Sequence, residues 1–250
     1  EMMRDKDDNF WVATNIGLCC INLKTEEVKF YRNDKNDLSS IPNDDIYDLI
    51  SADTVIYITT GDGLAVYDYE KDNFTTFRVP DSLTKDNVVK NNGLYDIVLG
   101  HDGRYYIGSY SCGLVAFNPR TEEIKIAIPK GSFSSTMVYS IIPDKKGELW
   151  ASTNKGITKY NIGTKEAMTY DASDGLQANE FTPNAFLNHS DGLIFFGGFN
   201  GFSYFNPDDI YIETTNPKMI ITSLRTNIDK HYRYFTHGDT LHLTYKDNSF

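Results

Sequence analysis

Carboxylates are the residues of this chain that chemistry would recruit first. Asp and Glu total 35, against 24 Lys and Arg, five His and three Cys. A facing pair of carboxylates would suit glycoside hydrolysis, one as acid and the other as base or nucleophile. Their local sequence argues against this: Asp102 precedes Gly103, Asp144 lies near Gly147 and Asp191 precedes Gly192. Aspartates in such places bond their own backbone and hold tight turns. His101, His189, His231, His237 and His242 show no metal-ligand spacing. The run Gly61-Asp62-Gly63 has the look of a calcium turn but lacks oxygen ligands at alternating positions. Cys19 and Cys20 are adjacent, so they point to opposite faces of a strand, and Cys112 stands apart. They read as small apolar filler. No serine nucleophile elbow occurs. The expectation is no catalytic residue, no metal and no cofactor.

Composition narrows the partners. The chain has 250 residues, of which 40% are hydrophobic, 24% charged and 14% aromatic. That length buries a substantial core, and the aromatic content favours β-structure. The net charge of −11 repels phosphate backbones, so nucleic acid is not an expected partner. No run of apolar residues is long enough to span a bilayer. The first residues, "EMMRDKDDNF", do not read as a signal peptide.

The elements that carry these residues repeat. "NFWVATNIGLCCIN", "VIYITTGDGLAVYD", "RYYIGSYSCGLVAFN", "ELWASTNKGITKYN" and "LIFFGGFNGFSYFN" are near-copies, each a strand, a turn and a strand. Aligned on Gly17, Gly63, Gly113, Gly156 and Gly201, they recur at intervals of 46, 50, 43 and 45 residues. A period of that size indicates a solenoid or a propeller. Period-2 alternation and Gly, Asn or Asp turns exclude helical repeats. In the third copy "GLYDIVLG", "RYYIGS", "LVAFN" and "IKIAI" give four strands, and the other copies follow this plan. Four antiparallel strands per unit describe a propeller blade. The first copy keeps only a stub of its first strand.

Trp11, Tyr57, Tyr106, Trp150 and Phe195 occupy equivalent second-strand positions. A row of rings could form a sugar platform. Recurrence in every copy favours packing between blades. The turns after the second strands all emerge on one rim, the top face. They carry Asn15, Asp62, Tyr110, Ser111, Asn154, Lys155 and Asn200, and the longer loops 33–45, 81–92 and 171–182 join them. Varied residues on a repeated framework are where specificity sits. Tyr110 lies in the turn with an insertion and offers a ring to a sugar, and Lys155 offers a charge to an anionic one.

These residues carry a family resemblance. "ELWASTNKGITKYN" resembles the regulator-propeller repeat, in which Leu-Trp-x-Gly-Thr leads to Gly-Leu-x-x-Tyr. "DGLQANEFTPNAFLNHSDGLIFFGGFNGFSYFNPDDI" resembles the last blade of the extracellular sensor region in hybrid two-component regulators of gut bacteria. "NPKMIITSLRTNIDK" is similar to the opening of the triple-tyrosine, immunoglobulin-like β-sandwich that follows there. The second copy departs from the repeat, with Tyr57-Ile58-Thr59-Thr60 where Trp-x-Gly-Thr is expected. The resemblance implies an all-β fold: five blades of a seven-bladed β-propeller at 1–210, then the start of the β-sandwich at 211–250. It implies a periplasmic, non-catalytic sensor that detects oligosaccharide. The signal would pass to a histidine kinase and regulate polysaccharide-utilisation genes. The parent protein would be a membrane-anchored dimer, with further blades, a signal peptide and the signalling half outside this chain. Two other readings stand beside it: a propeller enzyme of the polysaccharide lyase or hydrolase kind, and a protein-binding scaffold.

Overall fold

The computed structural model describes residues 1–80, 92–128, 135–210, 222–225 and 233–234. The chain divides into two compact units, Glu1–Asp209 and Ile210–Phe250. The first unit holds five antiparallel sheets, each with its strands in chain order. The first sheet contains β1 (Met2–Arg4), β2 (Asn9–Thr14), β3 (Gly17–Asn22) and β4 (Val28–Tyr31). The second contains β5 (Ile46–Ser51), β6 (Val55–Thr60), β7 (Gly63–Asp68) and β8 (Asn73–Phe77). The third contains β9 (Leu94–Leu99), β10 (Tyr105–Ser109), β11 (Leu114–Asn118) and β12 (Glu123–Ile126). The fourth contains β13 (Val138–Pro143), β14 (Glu148–Thr153), β15 (Gly156–Asn161) and β16 (Ala167–Tyr170). The fifth contains β17 (Phe181–Asn188), β18 (Ile194–Gly198) and β19 (Gly201–Phe205).

The first strands β1, β5, β9, β13 and β17 are successive neighbours, so the sheets radiate from a common axis as propeller blades. Four strands were expected in every copy. The fifth has three among the described residues. After Asn206 the chain turns into a short 3-10 helix, Pro207–Asp209, and Pro207 suits a helix start while lacking the N–H that a ladder needs. In the second unit β20 (Ser223–Leu224) pairs with β21 (Arg233–Tyr234). The expected β-sandwich otherwise lies outside the described residues.

The core lies between blades, in clusters that each join two neighbours. The aromatic row packs there in one direction. Trp11 meets Tyr67 of the second sheet at 5.1 Å, Tyr57 meets Phe117 of the third at 5.9 Å, Tyr106 meets Tyr160 of the fourth at 6.2 Å and Trp150 meets Phe205 of the fifth at 4.8 Å. Turn carboxylates fix three of these side chains: Trp11 Nε1 donates to Asp5, Tyr106 Oη to Asp102 and Trp150 Nε1 to Asp144. The ring of Phe195 has no next blade among the described residues. It packs on Phe202 and Tyr204 of its own sheet at 6.0 and 5.5 Å.

Candidate functional site

The top face is built from a repeated turn. A hydroxyl three or four residues before the turn glycine donates to that glycine's carbonyl: Thr14 to Gly17, Thr60 to Gly63, Ser109 to Gly113 and Thr153 to Gly156. The same oxygens accept backbone N–H groups of Ile16, Asp62, Cys112 and Lys155. The glycines adopt positive φ, 110° at Gly63 and Gly156, a region costly for side-chain-bearing residues. Their own N–H groups reach forward. Gly17 donates to Asp44 O, Gly113 to Thr136 O and Gly156 to Asn179 O, each just before the first strand of the next blade. The rim is therefore stitched from blade to blade by backbone bonds.

The seven rim residues meet different fates in this frame. The Asp62 carboxylate is held by Arg78 at 3.1 and 2.8 Å. Asn154 accepts from Ser135 Oγ and donates to Met137 Sδ, so its amide is committed to local structure. Asn15 and Asn200 are exposed on their turns, with Asn200 N–H donating to Gln177. The Lys155 backbone N–H caps the turn, Ser111 Oγ lies 3.6 Å from Cys112 Sγ, and Tyr110 is 37% exposed. These residues lie on the turn of each of the five blades. Tyr110 is the member drawn inward, with its ring 6.3 Å from that of Tyr95.

Tyr95 belongs to a second group, which the sequence reading passed over as ordinary strand. The first strands of the second, third and fourth blades read Ile46-Tyr47-Asp48, Leu94-Tyr95-Asp96 and Val138-Tyr139-Ser140. Each pairing register slips at this point, between Ile46 and Asp48, between Leu94 and Ile97, and between Val138 and Ser140. Such a bulge re-aims a side chain. The tyrosines of three blades meet as a result, Tyr47 to Tyr95 at 5.0 Å and Tyr95 to Tyr139 at 6.1 Å. Burial and neighbouring tyrosines push the Tyr95 phenol up to about 12. Burial, then Asp45, raises Tyr47, and burial, then Glu180, raises Tyr139. All three remain neutral hydroxyls.

The residues beside them bind the blades together. Asp48 accepts the backbone N–H of Ile97 in the next blade at 3.0 Å, and Asp96 accepts that of Ile141 in the one after at 2.5 Å. Burial, reinforced by the facing charge of Asp48, raises Asp96 well above the ordinary carboxylate value. Asp96 is therefore the member of the pair that takes up a proton first, with Asp48 facing it. The equivalent Ser140 Oγ is buried without a partner. Among the described residues no group of His, Cys, Asp and Glu could hold a metal ion, and no helix is long and apolar enough to cross a membrane.

Comparison with known proteins follows the same lines. The two component regulator propeller family matches residues 132–155, around the fourth-blade turn. Histidine kinase P4 of Formosa agariphila is 36% identical over 113 residues, 45% of this chain and 8% of the kinase. The extracellular domain of a protein described as a hybrid two-component system from B. thetaiotaomicron has the same fold, with a TM-score of 0.67, 21% identity and coverage of 81% of this chain and 26% of that one. Virginiamycin B lyase from Staphylococcus aureus shares the fold at a TM-score of 0.58 with 14% identity, covering 82% of this chain and 68% of the lyase. The chain therefore spans a small part of the signalling proteins it matches. It is an all-β propeller chain that carries the two-component regulator propeller repeat and resembles the extracellular region of hybrid two-component systems.

Proposed function

We propose that this chain is the sensing propeller of a hybrid two-component protein, exposed outside the cytoplasm in the periplasm. It binds an oligosaccharide and does no chemistry on it. The following β-domain relays the bound state to a histidine kinase in a membrane-anchored dimer, which regulates polysaccharide-utilisation genes. The regulator-propeller repeat carries this reading, present at 132–155 in a chain with a histidine kinase relative. Binding rather than catalysis is supported by the turn carboxylates. Asp102, Asp144 and Asp191 each accept backbone N–H groups of their own turns, from Arg104, Lys146 and Leu193.

The test uses membranes carrying the full-length parent protein. Kinase phosphorylation is followed while a panel of plant, host and microbial oligosaccharides is added. One member of the panel is expected to change phosphorylation, and replacing residues 1–209 with an unrelated propeller abolishes the response. A parent protein that ignores every sugar but responds to a protein fraction overturns the reading in favour of a scaffold.

A further inference from the structure

We infer that Tyr47, Tyr95 and Tyr139, with Tyr110 above them, form the stacking surface for an uncharged glycan where the first strands converge on the propeller axis. The ligand class rests on the sensor reading just given; the site rests on geometry alone. Three successive blades place a tyrosine at the same point of the first strand, and at each the ladder slips. Without the slip, the pleat would send these rings between blades, where Trp11, Tyr106 and Trp150 lie. A bulge gives up ladder pairing, and repeating it at one position in three blades buys a single shared result: rings gathered about the axis.

Exposure distinguishes most of these rings from core aromatics: Tyr47 and Tyr95 are half-buried and Tyr110 is exposed, whereas Tyr57, Tyr105 and Tyr106 between the blades are buried, as is Tyr139. Between the blades Trp11, Tyr106, Trp150 and Tyr160 donate hydrogen bonds to the chain, while the hydroxyls of Tyr57 and Tyr105 have no hydrogen-bond partner among the described residues. Among the described residues the hydroxyls of Tyr47, Tyr95 and Tyr110 have no hydrogen-bond partner, and that of Tyr139 reaches only Met137 Sδ at 4.0 Å. Apolar ring faces with unpaired hydroxyls at their edges match a pyranose, which has a C–H face and a rim of hydroxyls. The charged groups that act on these phenols are the carboxylates Asp45, on Tyr47, and Glu180, on Tyr139. An anionic sugar would be repelled there, so the ligand is neutral.

Calorimetry on the whole chain tests this with neutral hexasaccharides of glucose, xylose, mannose and galactose, and with a galacturonate hexasaccharide as the anionic probe. A neutral probe is expected to bind. Tyr47→Ala and Tyr95→Ala should each weaken it about tenfold, the loss of one well-placed ring. Tyr95→Phe keeps the ring and should stay within about threefold. Glu70→Ala, on a turn at the far end of its blade, should leave binding unchanged. Circular dichroism melts show that each variant folds, and Tyr95→Phe covers a collapse of Tyr95→Ala. Undiminished binding in both alanine variants overturns the site and leaves the sensor reading intact. Binding of the galacturonate alone overturns the ligand class. No binding by any probe overturns the inference, while the phosphorylation assay judges the sensor reading separately.

Discussion

At Gly156 the sequence motif becomes a steric statement. Its φ is 110°, and a Cβ added there would run into the carbonyl of Tyr170 on the neighbouring strand. Gly175 has a similar φ of 100° but open space around it. Gly175→Ala therefore meets backbone strain only, about 1 kcal/mol. Gly156→Ala meets strain and collision together and should lose about 3 kcal/mol in urea unfolding; equal losses for the two would refute the collision. The turn glycines were legible in sequence because they recur. So were the turn aspartates, since Asp-Gly pairs announce their role. Tyr47, Tyr95 and Tyr139 were not. A bulge leaves no mark in periodicity, and "IYDLI" reads the same whether its tyrosine lies between blades or faces the axis. The repeated Tyr-Asp, Tyr-Asp, Tyr-Ser was the available signal, and it shows only when first strands are aligned as second strands were.

At the scale of the strand, β5, β9 and β13 are joined through Asp48 and Asp96 as well as by packing. Asp96 has its pKa raised from the ordinary 3.8 by burial and by Asp48. A folded pKa above the unfolded one makes the protonated form the stabilised one. That stability is fully present below the ordinary value and is lost as pH rises through the raised one. Asp96→Asn keeps an acceptor for the Ile141 N–H and a donor toward Asp48 without a charge to bury. Melting followed upward from pH 4 should show a decline in the original chain that is smaller in the variant, where Asp48, itself raised by burial, still titrates. Equal slopes would mean that Asp96 is ionised in the folded state. Asp5, whose carboxyl is lowered by hydrogen bonds from Trp11 and Asn9 that outweigh its burial, contributes in the opposite sense and is common to both chains.

Across the whole first unit, cover is one-directional. Leu18, Leu64, Leu114 and Ile157 sit at one position of four blades, each completely buried under the next. Phe202, at the same position of the fifth, is 62% exposed, beside Tyr204 at 61%. On the far side of the first sheet Phe30 is 62% and Val28 53% exposed. Two open apolar faces of this kind mark association surfaces. Light scattering at micromolar concentration should show self-association of the chain, reduced by Phe202→Ser with Tyr204→Ser; a clean monomer before substitution would refute this. The blade count and the order of strands were legible from the repeat. Which sheet would lack a neighbour was not, because the exposed Phe202 occupies a position that its four counterparts bury. The direction of cover also has a consequence for how the protein is made. Each blade's aromatic residue waits for partners that leave the ribosome later, so every new unit completes its predecessor. The leading adhesive face therefore moves from blade to blade along the nascent chain during translation, while the face of the first sheet stays where it began.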